Sequence, residues 1–145
     1  MREPDMGSGA SSVVEDALGE VRLALGREIV LQKPPLVPGY EIAPKLIRDA
    51  IREAARAVPQ GAFDPVTLTI SNVEVELEED EEPSSIRAGK HLGLTFRWPS
   101  TGVEPQVSPA LEALMSETGS YAYAVDREGE ASITILLRDL GQDVH

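Results

Sequence analysis

The sequence contains no cysteine, few aromatic residues and no long apolar run. The lack of cysteine excludes disulfides and cysteine-ligated metal, and it fits a reducing compartment. Phe, Trp and Tyr together make up 4% of the chain, so aliphatic side chains must fill the core. No apolar run approaches the roughly 20 residues that cross a bilayer. Residues 1–12 are polar, without the apolar core of a signal peptide. We therefore expect a cytoplasmic protein with a flexible N-terminal segment, residues 1–12.

Basic residues are also scarce, because 13 Lys and Arg face 25 Asp and Glu, giving a net charge of -12. Such a surface repels nucleic acid and anionic lipid, so we predict neither nucleic-acid nor membrane binding. It favours a protein partner with a basic face. The alternative is that the charge only keeps the protein soluble.

Catalytic side chains are few as well. The two histidines are His91, at the start of a predicted strand, and His145 at the last position. Neither belongs to a cluster with metal-ligand spacing or to a Ser/His/Asp set. We therefore predict no catalytic residue, no metal and no cofactor.

Apolar spacing predicts three helices in a single domain, residues 13–138, followed by a tail at 139–145. A capping box at Ser12 opens the first helix, which ends at Gly26. The second helix runs from Pro44 to Val58 and is ended by Pro59 and Gly61. The third starts at Ser108 and Pro109 and ends at Gly119.

Alternating apolar residues predict the strands between these helices. A long strand covers residues 66–77, where a slip of the alternation near Ser71 and Asn72 predicts a bulge or a break. Further strands cover residues 29–31, 92–98, 121–125 and 131–137, and a tight turn at 127–130 joins the last two. The pattern predicts a two-layer α/β sandwich, with a mixed, mostly antiparallel sheet and about three helices on one face.

This ordered series resembles the ATP-binding catalytic domain of bacterial histidine kinases, the GHKL or Bergerat fold that gyrase B also has. Residues 57–61, Ala-Val-Pro-Gln-Gly, resemble the end of the family's asparagine-box helix. Residues 101–107 resemble the end of its first glycine box, and residues 121–137 resemble its closing strands. The resemblance covers most of the chain and implies the fold described above.

The resemblance also exposes departures at the positions that hold magnesium and phosphate in the family. The two box asparagines correspond to Asp49 and Glu53. Next to a triphosphate a carboxylate adds like charge and supplies no donor. The alternative interpretation is a solvated helix face on which Asp49 and Glu53 form local ion pairs with Arg52 and Arg56.

The glycine boxes depart further. The family's Asp-x-Gly-x-Gly places its aspartate at Trp98 and its glycines at Ser100 and Gly102. An indole can only donate a hydrogen bond, and its bulk would fill the adenine space. Trp98 also continues the alternation of a strand, which predicts core packing. The second glycine-rich box and the lid before it are absent between Val107 and Ala110. We therefore predict a pseudokinase-like domain that binds no nucleotide.

The resulting hypothesis is a non-catalytic, regulatory protein-interaction module, with a bacterial two-component signalling protein as the partner class that the resemblance implies. Candidate contacts are an arginine-bearing helix face and an acidic run. These residues are Arg48, Arg52, Arg56, Glu78, Glu79, Asp80, Glu81 and Glu82. Two alternatives stand beside it. One is an atypical kinase or ATPase of this fold with a pocket beside Trp98, and the other is an unrelated small α/β binding protein.

Overall fold

A computed structural model describes residues 9–34, 40, 42–59, 65–75 and 89–139. The described chain forms three helices and five strands. They are α1 (Gly9–Leu25), β1 (Val30–Gln32), α2 (Pro44–Ala55), β2 (Thr67–Val75), β3 (Gly89–Pro99), α3 (Pro109–Thr118), β4 (Tyr121–Arg127) and β5 (Glu130–Arg138). The strands form one sheet in the order β1-β2-β3-β5-β4. β1 runs parallel to β2, and the other neighbours are antiparallel. The predicted α/β class and mixed, mostly antiparallel sheet are confirmed.

The core lies between the helices and one face of this sheet. Leu68, Leu94 and Ile135 lie on that face and are at most 1% exposed, because alternate residues of a strand point to the same side. Ile47 and Ile51 of α2 are buried in the same cluster. The other face is more polar: Thr95 and Thr134 form a hydrogen bond of 3.0 Å between their hydroxyl groups.

The first helix begins earlier than the sequence pattern predicts. α1 starts at Gly9, so Ser12 lies inside the helix and the predicted capping box is wrong. Ser11 is 5% exposed and lies within 3.5 Å of Lys33 Nζ, which also forms an ion pair of 2.7 Å with Glu15. These tertiary contacts hold the first turn, where local propensity predicted coil. Residues 1–8 lie outside the described residues.

The second helix ends earlier than predicted. α2 stops at Ala55, and the next residues form tight bonds to the third preceding carbonyl, such as Val58 N–H to Ala55 O at 3.1 Å. This geometry is a 3₁₀-type turn, which is common where a helix ends. Val58 still reaches the core, with 4% exposure, so its apolar spacing does not distinguish the two geometries. Gly61 lies outside the described residues.

The predicted bulge or break in the second strand is also wrong. β2 pairs with β3 in one uninterrupted register from Thr67–Arg97 to Val75–Gly89. The slip in the pattern is a change of face, because Val73 points to the side opposite Ile70. Gly93 lies beside it on β3, where an added Cβ would meet Ser71 Oγ at 2.5 Å. Glycine at this position therefore permits the close pairing of β2 and β3.

Candidate functional site

Asp49 and Glu53, which the resemblance aligns with the asparagine box, lie on α2 and form ion pairs within the helix. Asp49 contacts Lys45 at 2.6 Å and Arg52 at 3.3 Å. Glu53 lies 3.9 Å from Arg56. The Asp49 and Glu53 side chains are 24% and 21% exposed, so both are partly desolvated beside their cations. The local ion pairs are those of the alternative interpretation, but the two carboxylates are less exposed than a solvated helix face implies.

The arginines predicted as partner contacts lie on the same helix. Arg52 also reaches Glu20 of α1 at 3.5 Å, and the Arg52 and Arg56 side chains are 53% and 71% exposed. Arg48 is half-buried. Acidic neighbours therefore balance part of the positive charge of this face. The acidic run from Glu78 to Glu82 lies outside the described residues.

Trp98 lies on β3, on the face of the sheet that packs against the helices. It is 1% exposed and pairs across the strands with Ala131, whose small side chain leaves room for the indole. The predicted core position is confirmed. Its Nε1–H is buried and finds no hydrogen-bond partner among the described residues. The side chain that the resemblance places at the adenine-binding position is therefore part of the core.

Ser100 holds the segment after β3 against the β4–β5 hairpin. Its backbone N–H donates to Gly129 O at 2.9 Å, and its hydroxyl donates to Asp126 Oδ2 at 3.0 Å. The same hydroxyl accepts a bond of 3.3 Å from the N–H of Gly102, which has a φ of 88°. Asp126 and Gly129 were missed by sequence reasoning, since no local pattern connects a loop to a hairpin so far along the chain.

The predicted site residues therefore fall into two groups. Ser100 and Gly102 are joined directly, and Trp98 precedes them on β3. Asp49 and Glu53 stand one turn apart on α2. Within the described part of the chain, no hydrogen bond or ion pair joins these two carboxylates to the segment 98–102. The structure shows two locally paired clusters at these positions.

The N-terminus of α3 is already capped by its own side chains. Ser108 Oγ accepts the N–H of Leu111 at 3.1 Å, and Pro109 at the first position has no N–H. Glu112 adds negative charge to the first turn. A helix N-terminus that binds phosphate needs free N–H groups and no competing anion. The start of α3 is therefore poorly suited to hold a nucleotide phosphate.

A hollow of about 720 Å³ opens beside Trp98 and Pro99, at the end of the sheet near the β4–β5 turn. Thr67 and Arg97 line it, and both alternate with core residues, so it opens away from the helices. Its charged lining consists of Arg97, Glu128 and Glu130, and Arg97 lies 3.9 Å from Glu130. Two carboxylates against one guanidinium disfavour a triphosphate.

The described residues contain no group of three or more His, Asp or Glu side chains placed to hold a metal ion. None of the described helices is long and apolar enough to cross a membrane.

Neither protein-family models nor curated proteins match the sequence. Solved structures match the fold. The chain is similar to the mycobacterial sensor histidine kinase MprB, at a TM-score of 0.50 and 11% identity over 88% of this chain and 93% of that one. It is also similar to the catalytic domain of histidine kinase ThkA, at a TM-score of 0.55 and 7% identity over 89% and 92%. This chain has the fold of a histidine kinase catalytic domain.

A third similar structure is the histidine kinase domain of a blue-light activated kinase from Erythrobacter litoralis. The TM-score is 0.55 and the identity 13%, over 92% of this chain and 61% of that one. The histidine-kinase-like chain therefore spans about three fifths of that larger structure. Identities from 7% to 13% carry the fold alone. Any activity has to be argued from the residues of this chain.

Proposed function

We propose that this chain is a non-catalytic histidine-kinase-like domain that binds no ATP and acts by binding another protein. The observation that carries the proposal is Trp98. Where the family places an adenine-binding carboxylate, this chain has an indole that is 1% exposed and belongs to the core. An indole has no acceptor for the adenine amino group. Moving it aside would open a cavity in the core.

The phosphate side of the site supports the same proposal. Asp49 and Glu53 already pair with cations of their own helix. The start of α3 has its own cap and carries Glu112. A bound triphosphate would therefore meet carboxylates at two places and have few free donors. Each departure alone is tolerable. Together they remove the acceptor for adenine, the donors for phosphate and the space for the adenine ring.

The proposed role is regulatory, with a protein that presents a basic face as the partner, because the net charge of this chain is -12. By analogy of fold, bacterial two-component signalling proteins are the partner class to test first. A cytoplasmic location belongs to this proposal. Candidate contacts remain Arg48, Arg52 and Arg56, together with the acidic run at residues 78–82.

Thermal unfolding with millimolar magnesium-ATP, ADP or a non-hydrolysable analogue tests the proposal. We expect no shift in Tm. A nucleotide present at 100 times its Kd would add about 2.7 kcal/mol of stability. Trp98, the single tryptophan, supplies a second readout, and its emission should stay unchanged. A histidine kinase catalytic domain with intact glycine boxes serves as the positive control.

The one observation in favour of another function, an atypical nucleotide-binding enzyme of the same fold, is the volume of about 720 Å³ beside Trp98, although the two carboxylates of its lining disfavour a triphosphate. This alternative predicts a magnesium-dependent rise in Tm that Arg97→Ala abolishes, because Arg97 is the cation in that lining. Such a rise would overturn the protein-binding proposal. Assays for ATP hydrolysis and phosphotransfer would then replace the search for a partner.

A further inference from the structure

The β4 strand forms one edge of the described sheet, and nothing in its sequence blocks further pairing. It pairs with β5 on one side and with no other described strand. Natural proteins protect such edges with Pro, Lys or bulges. β4 has none of these, and its residues from Tyr121 to Val125 are uncharged. Tyr121 and Tyr123 are 37% and 40% exposed, with ring centroids 6.0 Å apart.

The hairpin turn determines which backbone groups of β4 face outward. Glu128 and Gly129 have φ values of 56° and 79°, which is the pattern of a two-residue type I′ turn. Arg127 and Glu130 then form the first hydrogen-bonded pair, and such pairs alternate along an antiparallel ladder. The N–H and C=O groups of Ala122, Ala124 and Asp126 therefore point to the free edge.

A groove runs beside this edge, between β4 and α3. Its volume is about 510 Å³, and Ala113, Met115 and Ala122 contribute to its lining. A strand laid along β4 would send alternate side chains into this groove and the others towards the two tyrosines. The small side chains of Ala113 and Ala122 leave space for the side chains of such a strand, and Met115 can adapt its shape to them.

The charges around the groove select the ligand. α3 carries Glu112 and Glu117 and no basic residue. Asp126 adds a third carboxylate at one of the outward-facing backbone positions. A second copy of this chain would bring the same carboxylates together and add another charge of -12. Lys or Arg residues on an incoming strand would instead pair with these groups.

We propose that the β4 edge and the α3 groove bind an extended segment of a partner protein in which apolar residues alternate with Lys or Arg, by adding it as a strand next to β4. This inference rests on the proposed function, because it names the surface and the chemistry of the proposed partner. Binding of this kind takes its affinity from backbone hydrogen bonds and its specificity from alternate side-chain pockets.

The test is selection of phage-displayed random nine-residue peptides on the full chain, followed by affinity measurements with the enriched peptides. Ala124→Pro removes an outward N–H while leaving the bonds to β5 intact. Ala113→Lys adds a positive charge and a long side chain to the groove. Ala110→Lys is the matched control, because Ala110 is exposed on α3 outside the groove lining. Amide-exchange rates of Ala122, Ala124 and Asp126 locate the bound peptide.

We expect enriched peptides to alternate apolar and basic residues, and to lose at least tenfold in affinity with Ala124→Pro and Ala113→Lys but not with Ala110→Lys. Absence of enriched peptides, or binding that Ala124→Pro leaves unchanged, overturns the inference. A dimer in light scattering that Ala124→Pro dissociates would assign the edge to a second copy and also overturn it. If nucleotide raises Tm, the proposed function fails separately. If nucleotide does not raise Tm and peptides fail to bind at the β4 edge, the inference about this surface is wrong and the proposed function stands.

Discussion

At the residue scale, Trp98 combines a large packing contribution with a polar group that has no partner among the described residues. Its ring is 1% exposed, whereas its Nε1–H has no described hydrogen-bond partner. Leaving such a donor buried costs about 1–3 kcal/mol. The burial of the rest of the indole must exceed that cost. Alternation along β3 was enough to predict that this residue packs inward, but not that its N–H would lack a partner.

Trp98→Ala should lower the free energy of unfolding by about 3–5 kcal/mol, because a large cavity would form next to Ala131. Trp98→Phe retains most of the ring volume and removes the unpaired N–H, so it should cost clearly less. Urea denaturation of the three proteins measures both differences. An unchanged midpoint for Trp98→Ala would contradict the core position, and equal losses for both variants would contradict the role of ring volume.

His91 is the second residue whose burial has a measurable consequence. It is 0% exposed; Nδ1 donates to Gly89 O at 3.0 Å, and Nε2 is buried with no described partner. Burial lowers the pKa of His91 below its usual value, and the charge of Arg138 lowers it further. The bond to Gly89 and the charge of Glu74 raise this pKa, but less than burial lowers it.

The folded protein should therefore lose stability as the pH falls below about 6.5, the ordinary pKa of histidine. In that range the unfolded chain takes up a proton more readily than the folded one, so acid favours unfolding. Above about pH 6.5 neither state binds this proton, and the full stability of the folded protein is present. His91→Leu removes this titration, and its free energy of unfolding should vary less between pH 7.5 and 5.5. His145 is present in both proteins and serves as an internal control. Parallel pH profiles would show that His91 does not titrate in this range.

At the element scale, a helix end can be predicted where local residues determine it, and it is missed where they do not. The start of α3 at Pro109 after the Ser108 cap, and its end at Gly119, follow the sequence prediction. The start of α1 and the end of α2 do not, because a contact with Lys33 and a tight turn at residues 56–58 decide them. The apolar position of Val58 fits either helix geometry. The contact of Lys33 with α1 is distant in the sequence and leaves no local pattern. This is also why the bonds from Ser100 to the β4–β5 hairpin escaped prediction.

The β4–β5 hairpin contains one residue that its turn does not favour. Glu128 has a φ of 56°, in the left-handed region where a side chain costs roughly 1–2 kcal/mol. Asn is preferred at this position of a type I′ turn, so Glu128→Asn should stabilise the protein by about 1 kcal/mol. Glu104→Asn is the matched control, since it removes the same charge from an exposed loop residue. Guanidinium denaturation of the two variants measures the gain. An equal rise of the midpoint in both variants would attribute the gain to the lost charge alone.

At the scale of the whole molecule, the identity of the elements was predictable but their order in the sheet was not. Each helix and strand has its own periodicity, and the turn at residues 127–130 predicts that β4 pairs with β5. Nothing local indicates that β5 then pairs with β3, which leaves β4 at an edge. Long-range pairing of this kind depends on the core as a whole. The proposed interaction surface therefore emerges only from the folded chain.

The excess of acidic residues acts on the whole molecule too. With 25 acidic and 13 basic side chains, the carboxylates outnumber the cations by 12, and the mutual repulsion of this excess opposes the compact state. Salt screens this repulsion. It also weakens the surface ion pairs of α1 and α2, but exposed pairs contribute only about 0–1 kcal/mol each. Repulsion among the carboxylates should therefore dominate the response to salt.

We expect Tm at pH 7 to rise as sodium chloride increases from low to physiological concentration. A gain of about 1 kcal/mol corresponds to roughly 2–4 °C for a chain of this size. The rise should shrink near the isoelectric point, which is about 4.5 from the sequence, because the net charge vanishes there. Potassium chloride at equal ionic strength is the control for specific ion binding. A Tm that falls with salt at pH 7 would mean that the ion pairs, such as Lys33–Glu15 and Lys45–Asp49, outweigh the net repulsion.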